Sequence, residues 1–91
     1  MRRSLVVGNW KMHGSRQSIE ALVTALRAAL MAPTAEVALC PPFVHIGRVA
    51  ELVTGSDIAV GAQDCSAFES GAYTGEVAAE MLREAGCDWV I

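Results

Sequence analysis

The feature that most constrains this chain is a strict alternation of two kinds of apolar pattern. Short apolar runs occur at residues 4–8, 37–40, 57–61 and 88–91, and within them apolar residues do not alternate with polar ones. Side chains on a strand point to opposite faces in turn, so such a run needs cover on both faces, as in a parallel sheet. Between the runs the spacing is helical. Ile19, Leu22, Val23, Leu26 and Leu30 form one stripe and predict a helix over 15–31, with Ser15 as N-cap and Pro33 as its stop. A second helix is predicted over 42–54, opened by Pro42, closed by Gly55 and turning Ile46, Val49, Ala50 and Val53 inward. A third is predicted over 75–85 with Val77, Met81, Leu82 and Ala85 inward, ended by Gly86. The order is β-α-β-α-β-α-β, and each parallel connection is expected to be a right-handed crossover.

Composition narrows the class. A length of 91 residues allows one small domain or a piece of a larger one. With 53% hydrophobic and 19% charged residues the chain is not a disordered tail. The net charge of −3 argues against a nucleic-acid or anionic-membrane surface. No stretch approaches the roughly 18 apolar residues of a membrane span. Arg2 and Arg3 are followed only by a short apolar run before Gly8, Asn9 and Lys11, too little for a signal peptide. Cys40, Cys65 and Cys87 form no Cys-x-x-Cys pair, and neither His13 nor His45 stands at ligand spacing from them, so no metal is expected. Reduced thiols and a cytoplasmic protein follow. The last run reaches residue 91 with no helix after it, which leads us to expect a chain truncated in the fourth strand.

In parallel α/β folds, ligands bind at the carboxyl ends of strands, in the loops that lead into helices. The first such loop, 8–14, holds Asn9 and Lys11, the only lysine of the chain. An ammonium here can meet an anionic or carbonyl oxygen, and the Asn9 amide can donate to the same oxygen; both residue types are also ordinary in solvated loops. The third loop, 62–74, exceeds the usual 2 to 6 residues and carries Gln63, Asp64, Phe68, Tyr73 and Thr74. Its aromatics point to a protein–protein contact, or to a loop folded back on its own sheet. Cys40 at a strand end is a candidate nucleophile, although a buried thiol is the commoner case. Glu76 and Glu80 are expected to favour the third helix's dipole. Phosphate-binding P-loop, G-x-S-x-G and dinucleotide fingerprints are absent.

Five segments carry a resemblance: V-V-G-N-W-K-M-H-G at 6–14, C-P-P-F-V at 40–44, V-G-A-Q-D-C at 60–65, G-A-Y-T-G-E at 71–76 and G-C-D-W-V-I at 86–91. In this order and spacing the chain resembles the N-terminal portion of the triosephosphate isomerase family. The resemblance implies part of a single (β/α)8 barrel domain, which when complete needs about 250 residues. It implies a cytoplasmic isomerase of glycolysis and gluconeogenesis that interconverts dihydroxyacetone phosphate and glyceraldehyde 3-phosphate through an enediolate, with no cofactor or metal. Asn9 and Lys11 match the substrate-binding pair, Lys11 acting electrostatically. Gln63 and Glu76 match supporting positions. Thr74 matches the tip of an interface loop, which also carries Phe68 and Tyr73, and the implied assembly is a homodimer. His13 stands where many members have Asn, and Tyr73 where many have Phe. The electrophilic His and general-base Glu of the family match no residue here, so the chain alone is expected to be inactive. Two other readings are a non-catalytic partial barrel that binds a protein through 62–74, and a free-standing phosphate-binding domain centred on Lys11.

Overall fold

A computed structural model describes residues 3–30 and 34–91. The elements are β1 (Leu5–Asn9), α1 (Arg16–Ala29), β2 (Glu36–Cys40), α2 (Phe43–Val53), β3 (Ile58–Ala62), α3 (Ala79–Glu84) and β4 (Trp89–Val90). The order β-α-β-α-β-α-β is the one read from the sequence. Every neighbouring pair is parallel and the sheet order is β1-β2-β3-β4. Because the sheet grows in one direction, right-handed crossovers lay successive helices on the same face. That is the winding of a partial barrel rather than of a doubly wound sheet.

Register sets the two faces. Gly8 pairs with Leu39 and Leu39 with Val60, while Asn9 pairs with Cys40 and Gly61 with Trp89. Leu39, Ile58, Val60 and Ala62 form the core with Ile19 and Val23 of α1, Ile46, Val49 and Val53 of α2, and Leu82 of α3. Ser15 caps α1 as expected: its side chain accepts from Ser18 N–H, and Ser18 Oγ accepts from Ser15 N–H. Arg27 of α1 donates from Nη1 to the carbonyls of Leu52 and Thr54, at 2.8 and 2.9 Å, covering orphan acceptors at the end of α2. Arg48 pairs with Glu20 across the two helices and with Glu51 at 3.0 Å.

Several expectations need correction. The third helix begins at Ala79 rather than at residue 75. Gly75 has φ +89° in a turn closed by Glu76 N–H donating to Tyr73 O, and Ala78 is extended. Glu76 therefore lies outside the helix, and of the two acidic residues only Glu80 sits in its first turn. Met81 is 55% exposed and Leu22 45% exposed, so neither faces inward. The strands β2 and β3 are covered, but Leu5, Val6 and Val7 of β1 and both residues of β4 are exposed, because they form the two edges of the sheet. Strand limits differ from the expected ones by at most one residue. The expected end of the first helix at Met31 and its stop at Pro33 lie outside the described residues.

Gly61 has no room for a side chain: a Cβ there would stand 2.7 Å from Cys40 Sγ and 2.9 Å from Trp89 Cβ. Gly47, on α2, has nothing within 4 Å of that position. Gly61→Ala should therefore destabilise the chain by about 1–3 kcal/mol. Gly47→Ala should stabilise it by roughly 0.5–1 kcal/mol through helix propensity. Denaturant midpoints of the two variants check both signs.

Candidate functional site

Three strand ends meet around Lys11. The residue lies two positions beyond β1 and is the only non-glycine with positive φ (+53°) among the described residues. A residue with a Cβ loses about 1–2 kcal/mol in that region. Both of its backbone groups are held by side chains. Lys11 N–H donates to Asn9 Oδ1 at 2.9 Å, and Lys11 O accepts from Gln63 Nε2 at 2.8 Å. The same Gln63 nitrogen donates to Cys40 O, also at 2.8 Å, and that carbonyl accepts Trp10 N–H at 3.1 Å. Farther along the loop, Gly14 has φ +121° and its carbonyl meets His45 Nε2 of α2 at 3.1 Å. With Asn9 Oδ1 occupied inside the loop, its amide N–H groups and the exposed Lys11 ammonium are the donors left to face an anion. Beside them, Trp10, His13, Gly14, Ser18, Ile19 and Leu22 line an open, largely apolar hollow of about 350 Å³.

The long loop forms a knob. Ser66 N–H donates to Val77 O at 2.8 Å and closes its neck. Inside it, the rings of Phe68 and Tyr73 stack with centroids 4.2 Å apart and planes 6° from parallel. Gly71 makes room for this: its φ is +137°, and a Cβ there would stand 2.8 Å from Tyr73 Cε2. Both rings remain about half exposed, and Thr74 is exposed beside them. Ser66, Gly71, Glu76, Ala78 and Met81 join the rings around a hollow of about 230 Å³. The structure thus joins Asn9, Lys11 and Gln63 in one hydrogen-bonded group, and gathers Phe68, Tyr73, Thr74 and Glu76 in the knob. Among the described residues no hydrogen bond joins Thr74 or Glu76 to Asn9 or Lys11.

The family model for triosephosphate isomerase matches residues 4–91 of the chain. The chain belongs to the triosephosphate isomerase family. It is 50% identical over 91 residues to the triosephosphate isomerase of Dechloromonas aromatica, with all of this chain and 36% of that protein covered. Against that of Nitrosococcus oceani the figures are 53% over 92 residues, with 100% and 37% covered. Against that of Moorella thermoacetica they are 48% over 91 residues, with 100% and 36% covered. The chain spans little more than a third of the length of these relatives.

Within this partial triosephosphate isomerase barrel, the remaining candidates are accounted for structurally. His45 anchors the first loop. Among the described residues no cluster of His, Cys, Asp or Glu is arranged to hold a metal, and no helix is long and apolar enough to cross a membrane. All three cysteines are free thiols; Cys40 and Cys87 are buried and Cys65 is half-buried. Burial pushes the Cys40 thiol pKa up, partly opposed by a backbone hydrogen bond from Gly61. Burial also raises Cys87, helped by negative charge at Cys40 and Asp88. A raised thiol is a poor nucleophile, so Cys40 is a packing residue. Sequence reasoning singled out Gln63 only through the family pattern. Its double reach to Lys11 and Cys40 depends on strand order, which no local signal reports.

A thiol reagent should label Cys65 first, with Cys40 and Cys87 reacting only as the fold opens. Both buried thiols have raised folded-state pKa values, so their stabilising effect is complete below the ordinary thiol value. It is lost as pH rises through the folded values, and stability should fall above about pH 8.5. Mass-resolved labelling and denaturant melts across pH check the two outcomes.

Proposed function

We propose that the chain is the first part of a single (β/α)8 barrel enzyme that interconverts dihydroxyacetone phosphate and glyceraldehyde 3-phosphate through an enediolate. The observation that carries this reading is Lys11: a lone ammonium on a left-handed backbone pinned at both ends, at the carboxyl ends of the strands. Its charge and the Asn9 amide would neutralise the substrate phosphate and the negative charge that grows on the carbonyl oxygen as the enediolate forms. Such preorganised donors act most strongly at the transition state. Moving a proton between two carbons needs an acid–base pair that these two residues do not form. His45 is committed to Gly14, and no Glu or other His sits in the Lys11 group, so the 91-residue chain by itself is proposed to be inactive. The reaction belongs to cytoplasmic glycolysis and gluconeogenesis and uses no cofactor.

The knob supports a homodimer. Its exposed Phe68–Tyr73 stack and Thr74 are suited to a neighbouring subunit, and the open apolar hollow beside Trp10 is a receptor of matching character. The exposed ring pair equally supports a protein-binding role without catalysis, and one experiment separates the two.

A chimera that joins these 91 residues to the remainder of the Nitrosococcus oceani relative should isomerise glyceraldehyde 3-phosphate in a coupled assay. Lys11→Met should lower its kcat/KM by about 10²-fold or more. A folded chimera with no turnover would refute the enzymatic reading and leave the binding module. In the same chimera, Phe68→Ser combined with Tyr73→Ser should convert a dimer to a monomer by light scattering; an unchanged mass would remove the knob from the interface.

A further inference from the structure

Charge is divided unequally along the chain. Residues 1–30 carry five Lys or Arg against Glu20 alone, whereas residues 63–91 carry six carboxylates against Arg83 alone. The knob holds part of that acidic excess. Glu69 and Glu76 are exposed and line the hollow beside the Phe68–Tyr73 stack, and no Lys or Arg stands between Arg48 and Arg83. Among the described residues the only ion pairs are those of Arg48 with Glu20 and Glu51. The start of α1 is the opposite case. Arg16 is its first residue and is exposed; a cation there opposes the helix dipole, and no acidic residue of the first turn offsets it. With Ile19, Glu20, Val44, His45 and Arg48 it lines an open hollow of about 540 Å³, which shares Ile19 with the apolar hollow beside Trp10. Val44 is 85% exposed there. A guanidinium beside an uncovered aliphatic side chain complements carboxylates beside uncovered rings. We propose that charge steers the knob of one copy onto the start of α1 of a second copy, with Glu69 of the knob pairing with Arg16 and Glu76 adding to the field. The inference rests on the homodimer proposed above and specifies what selects its contact. It also gives Arg16, ill placed for its own helix, a use outside it.

The sign of the salt effect tests this, and both sides of the contact lie within the 91 residues. Two copies of net charge −3 repel each other as whole bodies, so without local pairing added salt would tighten the dimer. With pairing, salt loosens it, because the screening length falls from about 10 Å at 0.1 M to about 3 Å at 1 M. Sedimentation of the 91-residue chain should show the dimer dissociation constant rising about tenfold over that range. Arg16→Glu should weaken the dimer about tenfold or more, since it sets like charges together. The same substitution should raise the denaturant midpoint, because it suits the helix dipole. Opposite signs for association and folding separate a contact with a second copy from a general loss of structure. Glu69→Arg should weaken the dimer likewise, and the two reversals combined should restore it. A dimer that tightens with salt, or that ignores both reversals, overturns the inference and leaves the homodimer standing. Failure of the combined reversal to restore association also overturns it, since the two residues would then not face each other. A folded chain that stays monomeric at every salt concentration overturns both the inference and the homodimer.

Discussion

Everything at the site follows from the parallel pairing of β1, β2 and β3. Parallel neighbours cannot be joined by a tight turn; the chain must return through a crossover before the next strand starts. Each return here is a helix, and α1 and α2 bury Ile19, Val23, Ile46, Val49 and Val53 against Leu39, Ile58 and Val60. One consequence is that every strand ends at the same side of the sheet. Asn9, Cys40 and Gln63, distant in sequence, become adjacent, so that two hydrogen bonds hold the Lys11 backbone and a third ties Gln63 to Cys40.

The same arrangement explains why a lysine accepts a costly conformation. A left-handed residue persists only where its surroundings over-determine it, and such residues cluster at functional positions. At Lys11 the over-determination is visible atom by atom: one side chain takes its N–H, another takes its carbonyl, and the loop beyond is fastened by His45. Among the described residues no hydrogen bond or ion pair engages the ammonium itself. Rigid backbone beneath a free charge is the arrangement that electrostatic preorganisation requires.

The sheet edges are less finished than its centre. β1 presents Leu5, Val6 and Val7 without the charges, prolines or bulges that protect an edge strand meant to remain open. The exposed apolar residues of β1 and β4 fit the membership of a family whose barrel places a strand on either side of every strand.

Much of this was legible in the residues. The apolar runs and helical stripes determined the order of elements, Ser15 and Gly55 marked helix ends, and the lone Lys11 after the first strand marked the loop around which three strand ends meet. These signals are local, each carried by a few neighbouring positions. The start of α3 was not legible, because the left-handed turn at Gly75 and the bond from Ser66 to Val77 hold residues 75–78 out of the helix against a helical pattern. The exposure of Leu22 and Met81 depended on which faces the sheet covers. Above all, the reach of Gln63 to Lys11 and Cys40 spans 52 and 23 residues of sequence. Only the strand order brings those carbonyls within one amide's grasp. The sequence by itself determined which residue types stand at the strand ends, and the tertiary structure decided which of them hold Lys11, since a hydrogen bond acts over about 3 Å and not along the chain.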